Sequence, residues 1–553
     1  MPHPRLRRFA LGAGMAAMSF ALAAPLGAQG EARFDPEAVR AHVTFLADDL
    51  LEGRATGARG YDIAASYVAS RFIEIGAKPM GDASGGSYFQ QVPLREARLS
   101  SAPTLTLRAG ASELRLENEA QFLLGPSLFE QQQQVEAPLV FVGYRLDRPD
   151  LGLRDYDRLD VAGKIVVVLS GYPKGLNTEL GAHLNSEKAV MAMNRGAIGI
   201  LSIPTLQDTQ RRPWARRAES AKDPAVGWLK PDGAPFARAP GIRVNGTLNP
   251  DAMEPLFAGT RRTLAAVLAE ADRVGGKPRG FSLSHRATVE RNSTWQPIAS
   301  ANVVAMIPGS DPALANEYVL MTAHLDHMEN HGEGPDRIFN GAMDNAAGVA
   351  TMLEVARALA QDGQRPRRPV LFAALTGEEK GLLGADYLSR FPVVAPAGQV
   401  VAVVNFDMPV LTYPFTDVVA FGAENSTLGP TVAAAARQVG IALSPDPIPE
   451  EGIFTRSDHY RFVQLGVPAV FLMTGFAGPG ERAFRDFLAT HYHRPSDDLN
   501  RPFDWAAGAR FAEVNYHIVR AIADGVQRPQ WYAGNFFGDE FAPQAAKAPR
   551  PAP

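Results

Sequence analysis

Between residues 301 and 526 short apolar runs alternate with amphipathic stretches, and this alternation limits the fold of the 553-residue chain more than any other feature. The runs fall at 303–307, 318–323, 370–375, 400–405, 418–421 and 469–473. Between and after them, helical spacing of apolar residues predicts helices near 345–361, 381–391, 427–439, 458–465 and 505–523. Strands that are apolar along their whole length and linked through helices predict a mixed, mostly parallel sheet covered on both faces, an α/β fold. Such sheets bind ligands beyond the carboxyl ends of their strands.

Those ends are where acids and imidazoles collect. The run at 318–323 leads into His324 and Asp326, and Asp344 stands before the helix expected at Asn345. The run at 370–375 leads into Glu378 and Glu379, and that at 400–405 into Asp407. His491, Tyr492 and His493 precede the last helix. Each piece alone is weak: an H-x-D is commonly structural, a Glu pair is commonly a solvated surface, and Asp344 alone would be a helix cap. Together on one sheet edge they form a carboxylate cluster that needs either solvent or cations. His324, Asp344, Glu379, Asp407 and His493 amount to two imidazoles and three carboxylates, a set that suits two divalent ions with one carboxylate shared. Mixed nitrogen and oxygen ligation favours zinc, with cobalt and manganese also compatible. Only one of the adjacent Glu378 and Glu379 can point at a metal; the other is free to act as general base. Asp326, two residues along an extended strand from His324, is expected to accept the other imidazole N–H.

The rest of the chain frames this half. Residues 34–76 read as two helices joined by a loop at 52–57, and 88–94 and 105–116 read as strands. From 136 to 284 the texture is β-rich, no His, Asp and Glu group together, and the arginines at 211–217 read as a solvated face. The expected domains are a leader at 1–28, an N-terminal part of the main domain at 34–130, an insert at 136–284, a catalytic part at 295–530 and a disordered Pro/Ala-rich tail at 541–553. Arg5, Arg7 and Arg8 before an apolar stretch ending in small residues predict an export signal and hence a periplasmic or secreted protein; the Arg7–Arg8 pair raises twin-arginine export as the route. There is no cysteine, hence no disulfide framework and no acceptor for a lipid after the leader. A net charge of −4 offers no basic face for nucleic acid, and no later run is long enough to span a bilayer.

The motifs H-L-D-H (324–327), N-G-A-M-D-N-A-A-G (340–348), T-G-E-E-K-G-L-L-G (376–384), N-F-D-M (405–408), R-S-D-H-Y-R-F (456–462) and Y-H-R-P-S-D (492–497) together resemble the M28 family of zinc metallopeptidases, mostly aminopeptidases. F-L-A-D-D-L-L-E-G-R-A-T-G (45–57) resembles that family's N-terminal helices, and the insert resembles a protease-associated domain. The resemblance implies a zinc-exopeptidase fold. It assigns His324 and Asp407 to one zinc, Glu379 and His493 to the other, Asp344 as the bridge, Glu378 as the base and Asp326 as the partner of His324. It selects His493 over His491, which is left to a supporting or surface role. It also leads us to expect a cis peptide after Asp344. Tyr492, Arg456 and Asp458 are carried as candidates for oxyanion or substrate contact, and His327 and His331 for the rim of the site.

The expected reaction is removal of N-terminal residues from peptide or protein substrates by a water activated between two zinc ions. A related zinc carboxypeptidase or dipeptidase would need an arginine to grip the substrate carboxylate, and Arg456 and Arg494 are the candidates. Glutaminyl cyclisation on a related fold uses one zinc, which the five-ligand set argues against. A non-catalytic binding protein of the same fold would have lost ligands, and this chain keeps them all. Residue preference, natural substrate and oligomeric state are not legible in the sequence.

Overall fold

The computed structural model describes residue 1 and residues 34–82, 86–330, 334–394 and 398–551; the expected leader lies outside the described residues. The alternation of apolar runs becomes one twisted sheet. Its strands are β1 (Phe89–Leu99), β2 (Phe281–Ile307), β3 (Glu317–His324), β4 (Val370–Leu375), β5 (Gln399–Phe406), β6 (Asp417–Phe421), β7 (Ala442–Ser444) and β8 (Ala469–Thr474). Their spatial order is β1-β2-β4-β3-β5-β8-β6-β7. The four central strands β4, β3, β5 and β8 are parallel. Nearly every residue of these four is buried, which is why they read as continuous apolar runs.

Helices cover both faces. α1 (Pro36–Leu46) starts at Asp35, whose carboxylate accepts from the Glu37 amide, and it turns Val39, Val43 and Leu46 inward. α2 (Arg59–Ile75) ends on Gly76 in the left-handed conformation. α3 (Gly348–Gln361) is buried on nearly all sides between α1, α2 and α4 (Trp505–Asp524). Register sets the functional edge: His324 of β3 lies opposite Leu375 of β4, and Thr322 lies opposite Asn405 of β5. Parallel strands in step deliver the residues that follow them to a single edge.

A second body has cores of its own, separate from the core of the main sheet. Its sheet contains Thr104–Ala109, Ser112–Leu116, Phe122–Leu124, Gln132–Phe141, Ile165–Leu169, Gly199–Ile203 and Val244–Leu248. Two expectations change here. The boundary expected at 130–136 falls earlier, because Thr104–Ala109 pairs with Arg286–Glu290 of β2 and packs into the second core. The insert expected to end at 284 does not end there: β2 continues for 27 residues, through a shift of register between Ser282 and Arg286, pairing through its first half with the second body and through its second half with β1 and β4. In return, Ala225–Trp228 leaves the second body to add a strand beside β1, and the Trp228 indole donates to Asp386 Oδ2 at 2.8 Å.

The tail is a further correction. Residues 541–551 are placed rather than disordered: α5 (Phe536–Phe541) packs on the main core, and Ala548 exchanges backbone hydrogen bonds with Trp531 and Ala533. No helix among the described residues is long and apolar enough to cross a membrane. Phe372 in β4 is fully buried with its ring 6.1 Å from that of Phe72 in α2. Phe372→Ala is expected to destabilise the main domain by about 3–5 kcal/mol, read as a lower denaturation midpoint by circular dichroism.

Candidate metal centre

Five side chains meet beyond the carboxyl edge of the central strands. His324 is the last residue of β3 and Asp407 follows β5, which brings His324 Nε2 to 3.2 Å from Asp407 Oδ1. Glu379 follows β4 by four residues. His493 comes from the loop before α4 with φ +53°, and its Nε2 lies 3.2 Å from Glu379 Oε2. Asp344 stands between the two pairs: Oδ1 is 3.2 Å from His324 Nε2 and Oδ2 is 3.3 Å from His493 Nε2. Asp344 is 2 % exposed, and its Oδ2 has no hydrogen-bond partner.

Buried carboxylate oxygens facing imidazole nitrogens at these distances, with one oxygen left over, fit a pair of divalent cations. The protein's own electrostatics point the same way. Burial works against a charged His324, yet Asp407, Glu378 and Asp344 together hold its imidazole well above the ordinary range. Burial likewise opposes charge on His493, and Glu379 and Asp344 outweigh it. Burial raises Asp344, but the two imidazoles that face it hold it well below the ordinary carboxylate range. The centre is thus a trap for positive charge.

The backbone around Asp344 is held by long-range contacts. The Asp344–Asn345 peptide is cis. Asn345 Nδ2 donates to the Phe406 carbonyl at 2.9 Å, and its Oδ1 accepts from the amides of Gly348 and Met408, so one amide side chain ties three segments of the site together. Asp497 accepts from the amides of Met343 and Asp344, both at 3.0 Å. Thr322 donates to Asn405 at 2.6 Å, Asn405 to Ser457 at 2.7 Å, and Ser457 to Asp407 Oδ2 at 2.7 Å, a chain that fixes the carboxylate from behind.

Two supporting residues, Arg54 and Thr56, escaped the sequence reading, and a third, His327, stands elsewhere than expected. Arg54, in the loop between α1 and α2 and only 1 % exposed, donates to the carbonyls of Leu46, Leu325, Asn340 and Gly341. Burial lowers its guanidinium to about 10, opposed by Asp497, Asp326, Asp344 and Glu379, so it stays charged beneath the carboxylates. Thr56 donates to Asp326 Oδ2 at 2.9 Å. His327, expected at the rim, is fully buried, and its Nδ1 lies 2.8 Å from Glu379 Oε1. His327, Asp344 and Glu379 also form a possible ligand set. However, His327 Nδ1 is 4.0 Å from Asp344 Oδ2 and already at hydrogen-bond distance from Glu379, so its geometry is that of a residue orienting Glu379. A cationic residue in an otherwise helical N-terminal segment, and a second His three positions after the first, were the only sequence signals for Arg54 and His327.

Other expectations are corrected. The His324 Nδ1 meets the main-chain carbonyl of Asp326 at 3.0 Å rather than its carboxylate, because β3 ends at His324 and the extended pairing does not continue to Asp326. The Asp326 carboxylate turns to the Glu378 amide at 3.1 Å and to Thr56. Asp458 is fully buried, neither carboxylate oxygen has a hydrogen bond, and burial pushes its carboxyl up to about 8; it does not line the cavity and cannot meet a substrate there. His491 bonds Ser496 at the surface, and His331 lies outside the described residues.

Glu378, Tyr492 and Arg456 do line the cavity in front of the centre, together with apolar Met408, Ile453, Phe471 and Met473. Burial, with Glu379 and Asp407 nearby, raises the Glu378 carboxyl well above the usual range against the pull of His324. The Tyr492 ring lies 3.8 Å from that of His493. Arg456 pairs with Glu451 at 3.2 Å.

Comparison with known proteins agrees with this geometry. Residues 302–519 match Peptidase family M28. The chain is 25% identical over 517 residues to the probable lipoprotein aminopeptidase LpqL of Mycobacterium tuberculosis, covering 88% of this chain and 85% of that protein. It is 28% identical over 268 residues to leupeptin-inactivating enzyme 1 of Streptomyces exfoliatus, covering 46% of this chain and 55% of that protein. In fold it resembles the aminopeptidase from Aneurinibacillus sp. strain AM-1, with a TM-score of 0.51 at 18% identity over 95% of this chain and 99% of that one. Arg54→Met removes four hydrogen bonds and the buried charge together; it is expected to weaken divalent-metal affinity by about 10–100-fold, measured by competition with a chelator of known affinity.

Proposed function

Given that this chain belongs to Peptidase family M28 and is a metallopeptidase, we propose that it is an exported aminopeptidase working with two zinc ions. The observation that carries the reading is the shared carboxylate: each oxygen of Asp344 faces its own imidazole, and each imidazole faces a further carboxylate. His324 and Asp407 would hold one ion, His493 and Glu379 the other, and Asp344 both. When bound, the ions polarise the scissile carbonyl and acidify water. Several relatives are named zinc metalloproteases, which supports zinc over its neighbours.

Glu378 is the base. Its carboxylate lines the cavity, and its raised pKa suits a group that accepts a proton from water and returns it to the leaving amine. Asp326 holds Glu378 by accepting its backbone N–H. The Tyr492 hydroxyl is the candidate donor to the developing oxyanion. Removal of N-terminal residues is favoured over carboxypeptidase action because Arg456, the guanidinium at the cavity, is already neutralised by Glu451. The arginines before an apolar leader, and a relative named a lipoprotein, support export. We read the second body as a protease-associated domain, and the substrates as peptides or proteins.

Glu378→Gln is expected to keep both metals and to lower kcat by about 10²–10⁴-fold or more, measured on aminoacyl anilides beside elemental analysis; near-normal turnover would refute the assignment. A chelator should abolish hydrolysis and zinc should restore it, with two ions bound per chain on titration. A saturating content of one would eliminate the shared-carboxylate reading.

A further inference from the structure

We infer that the second body forms the back of one wall of the substrate cavity and selects which N-terminal side chains fit, with Glu179 and His183 as the positioning residues. This rests on the aminopeptidase reading above. The wall is the segment from Pro449 to Tyr460. It lines the cavity with Ile453, Arg456 and Ser457, opposite Met408, Phe471 and Met473. It contains two single turns of 3-10 helix, Pro449–Glu451 and Ile453–Thr455. Turns this short do not hold their own position. On the metal side the wall is tied by the Ser457–Asp407 hydrogen bond of 2.7 Å. Asn405 also donates to Ser457, and Ile453, Phe454 and Tyr460 pack into the main core, with the Phe454 ring 5.2 Å from that of Phe537. The second body adds further ties to the backbone and to the Tyr460 hydroxyl.

These ties lie on one helix, Thr178–Asn194, whose N-terminus is capped by Asn177 accepting from the Leu180 amide at 2.9 Å. Glu179 Oε1 accepts from the Phe454 amide at 3.2 Å, one residue from Ile453. One turn further along, His183 Nδ1 lies 2.5 Å from the Tyr460 hydroxyl, three residues from Ser457. The His183 ring is enclosed by Phe536, Phe537 and Phe541, with centroids 5.3, 6.3 and 5.4 Å away. Just before the first tie, Gly452 has φ +57°, and a Cβ there would stand 3.2 Å from Ala182 Cβ. The helix therefore meets the wall at Gly452, Phe454 and Tyr460, on both sides of the cavity-lining residues, and a shift of the helix moves Ile453 relative to Met408 and Phe471.

The polar ties are between neutral groups. Burial pushes the Glu179 carboxyl up to about 8, and burial with Arg238 and Arg148 lowers His183 to about 4. A neutral acid that only accepts a backbone N–H is replaceable by glutamine. This makes the inference separable from simple destabilisation.

The test uses the full chain with zinc and a series of alanyl, valyl, leucyl and phenylalanyl anilides. In Glu179→Ala the ratio of kcat/KM for leucyl over alanyl substrate is expected to change by about 10-fold, within the range that one or two methylenes command in an apolar pocket. The change should appear in KM, with two metals retained and alanyl kcat within about twofold of wild type. Glu179→Gln should restore the wild-type ratio. Hydrogen exchange of the amides over 449–460, measured on the same proteins, should be faster in Glu179→Ala and in His183→Ala and unchanged in Glu179→Gln. An unshifted ratio in Glu179→Ala, a ratio shifted equally in both Glu179 variants, or unchanged exchange overturns the inference. If wild type cleaves no aminoacyl anilide, the aminopeptidase reading fails, and the exchange experiment alone decides whether the helix holds the wall.

Discussion

Three carboxylates and two imidazoles share a few ångströms around Asp344, and the structure is arranged to make that crowding tolerable. Without cations, it is chiefly the two imidazoles that offset the cost of burying these like charges side by side. Divalent ions remove that cost when bound. The framework must still hold the empty ligands in place, because a site assembled only by the ion would spend binding energy on ordering the chain. Asn345 and Asp497 do this by capturing backbone amides and carbonyls on both sides of Asp344. Arg54 adds a permanent buried charge that touches only carbonyls and so leaves every carboxylate free for metal.

The same dependence explains why the chain before residue 80 belongs to the catalytic body. The loop at 52–57 supplies Arg54 and Thr56 to the underside of the site, and the His327 amide donates to the Arg54 carbonyl at 3.2 Å. These contacts cross 270 residues of sequence or more. The second body is joined just as closely. β2 is part of both sheets, so the two bodies share a continuous strand rather than a flexible linker. A strand common to two sheets, with Trp228 pinned to Asp386, leaves little freedom for one body to swing against the other. The second body can thus act as a fixed support behind the cavity wall rather than as part of its lining.

Much of this was legible in the linear chain. Parallel strands buried on both faces appear as uninterrupted apolar runs, and their crossovers bring every carboxyl end to one edge. His324, Asp407 and the Glu378–Glu379 pair stand just past the ends of such runs, whereas the choice of Glu379 over Glu378 and of His493 over His491 rested on the resemblance to the M28 family. The alternating segment from Phe281 to Ala301 was harder to read, because it is polar on one face and carries Pro297; its length shows only in its pairing with Arg95 and its neighbours. The tail was misread for a related reason: its composition resembles disorder, but Ala548 finds backbone partners at Trp531 and Ala533.

By itself the sequence determined the class of sheet, the edge where chemistry collects and the kinds of group collected there, because each is written in local periodicity. Only the tertiary structure decided which atom meets which. Asp326 answers His324 with its carbonyl because of how the chain leaves β3, and Asp458, adjacent to a residue that lines the cavity, is turned away from it. His327 lies under Glu379 instead of at the rim, and Arg54 arrives from a distant loop. Contacts between residues hundreds of positions apart have no signature in the pattern around either one, since that pattern records which face is buried and not what it is buried against.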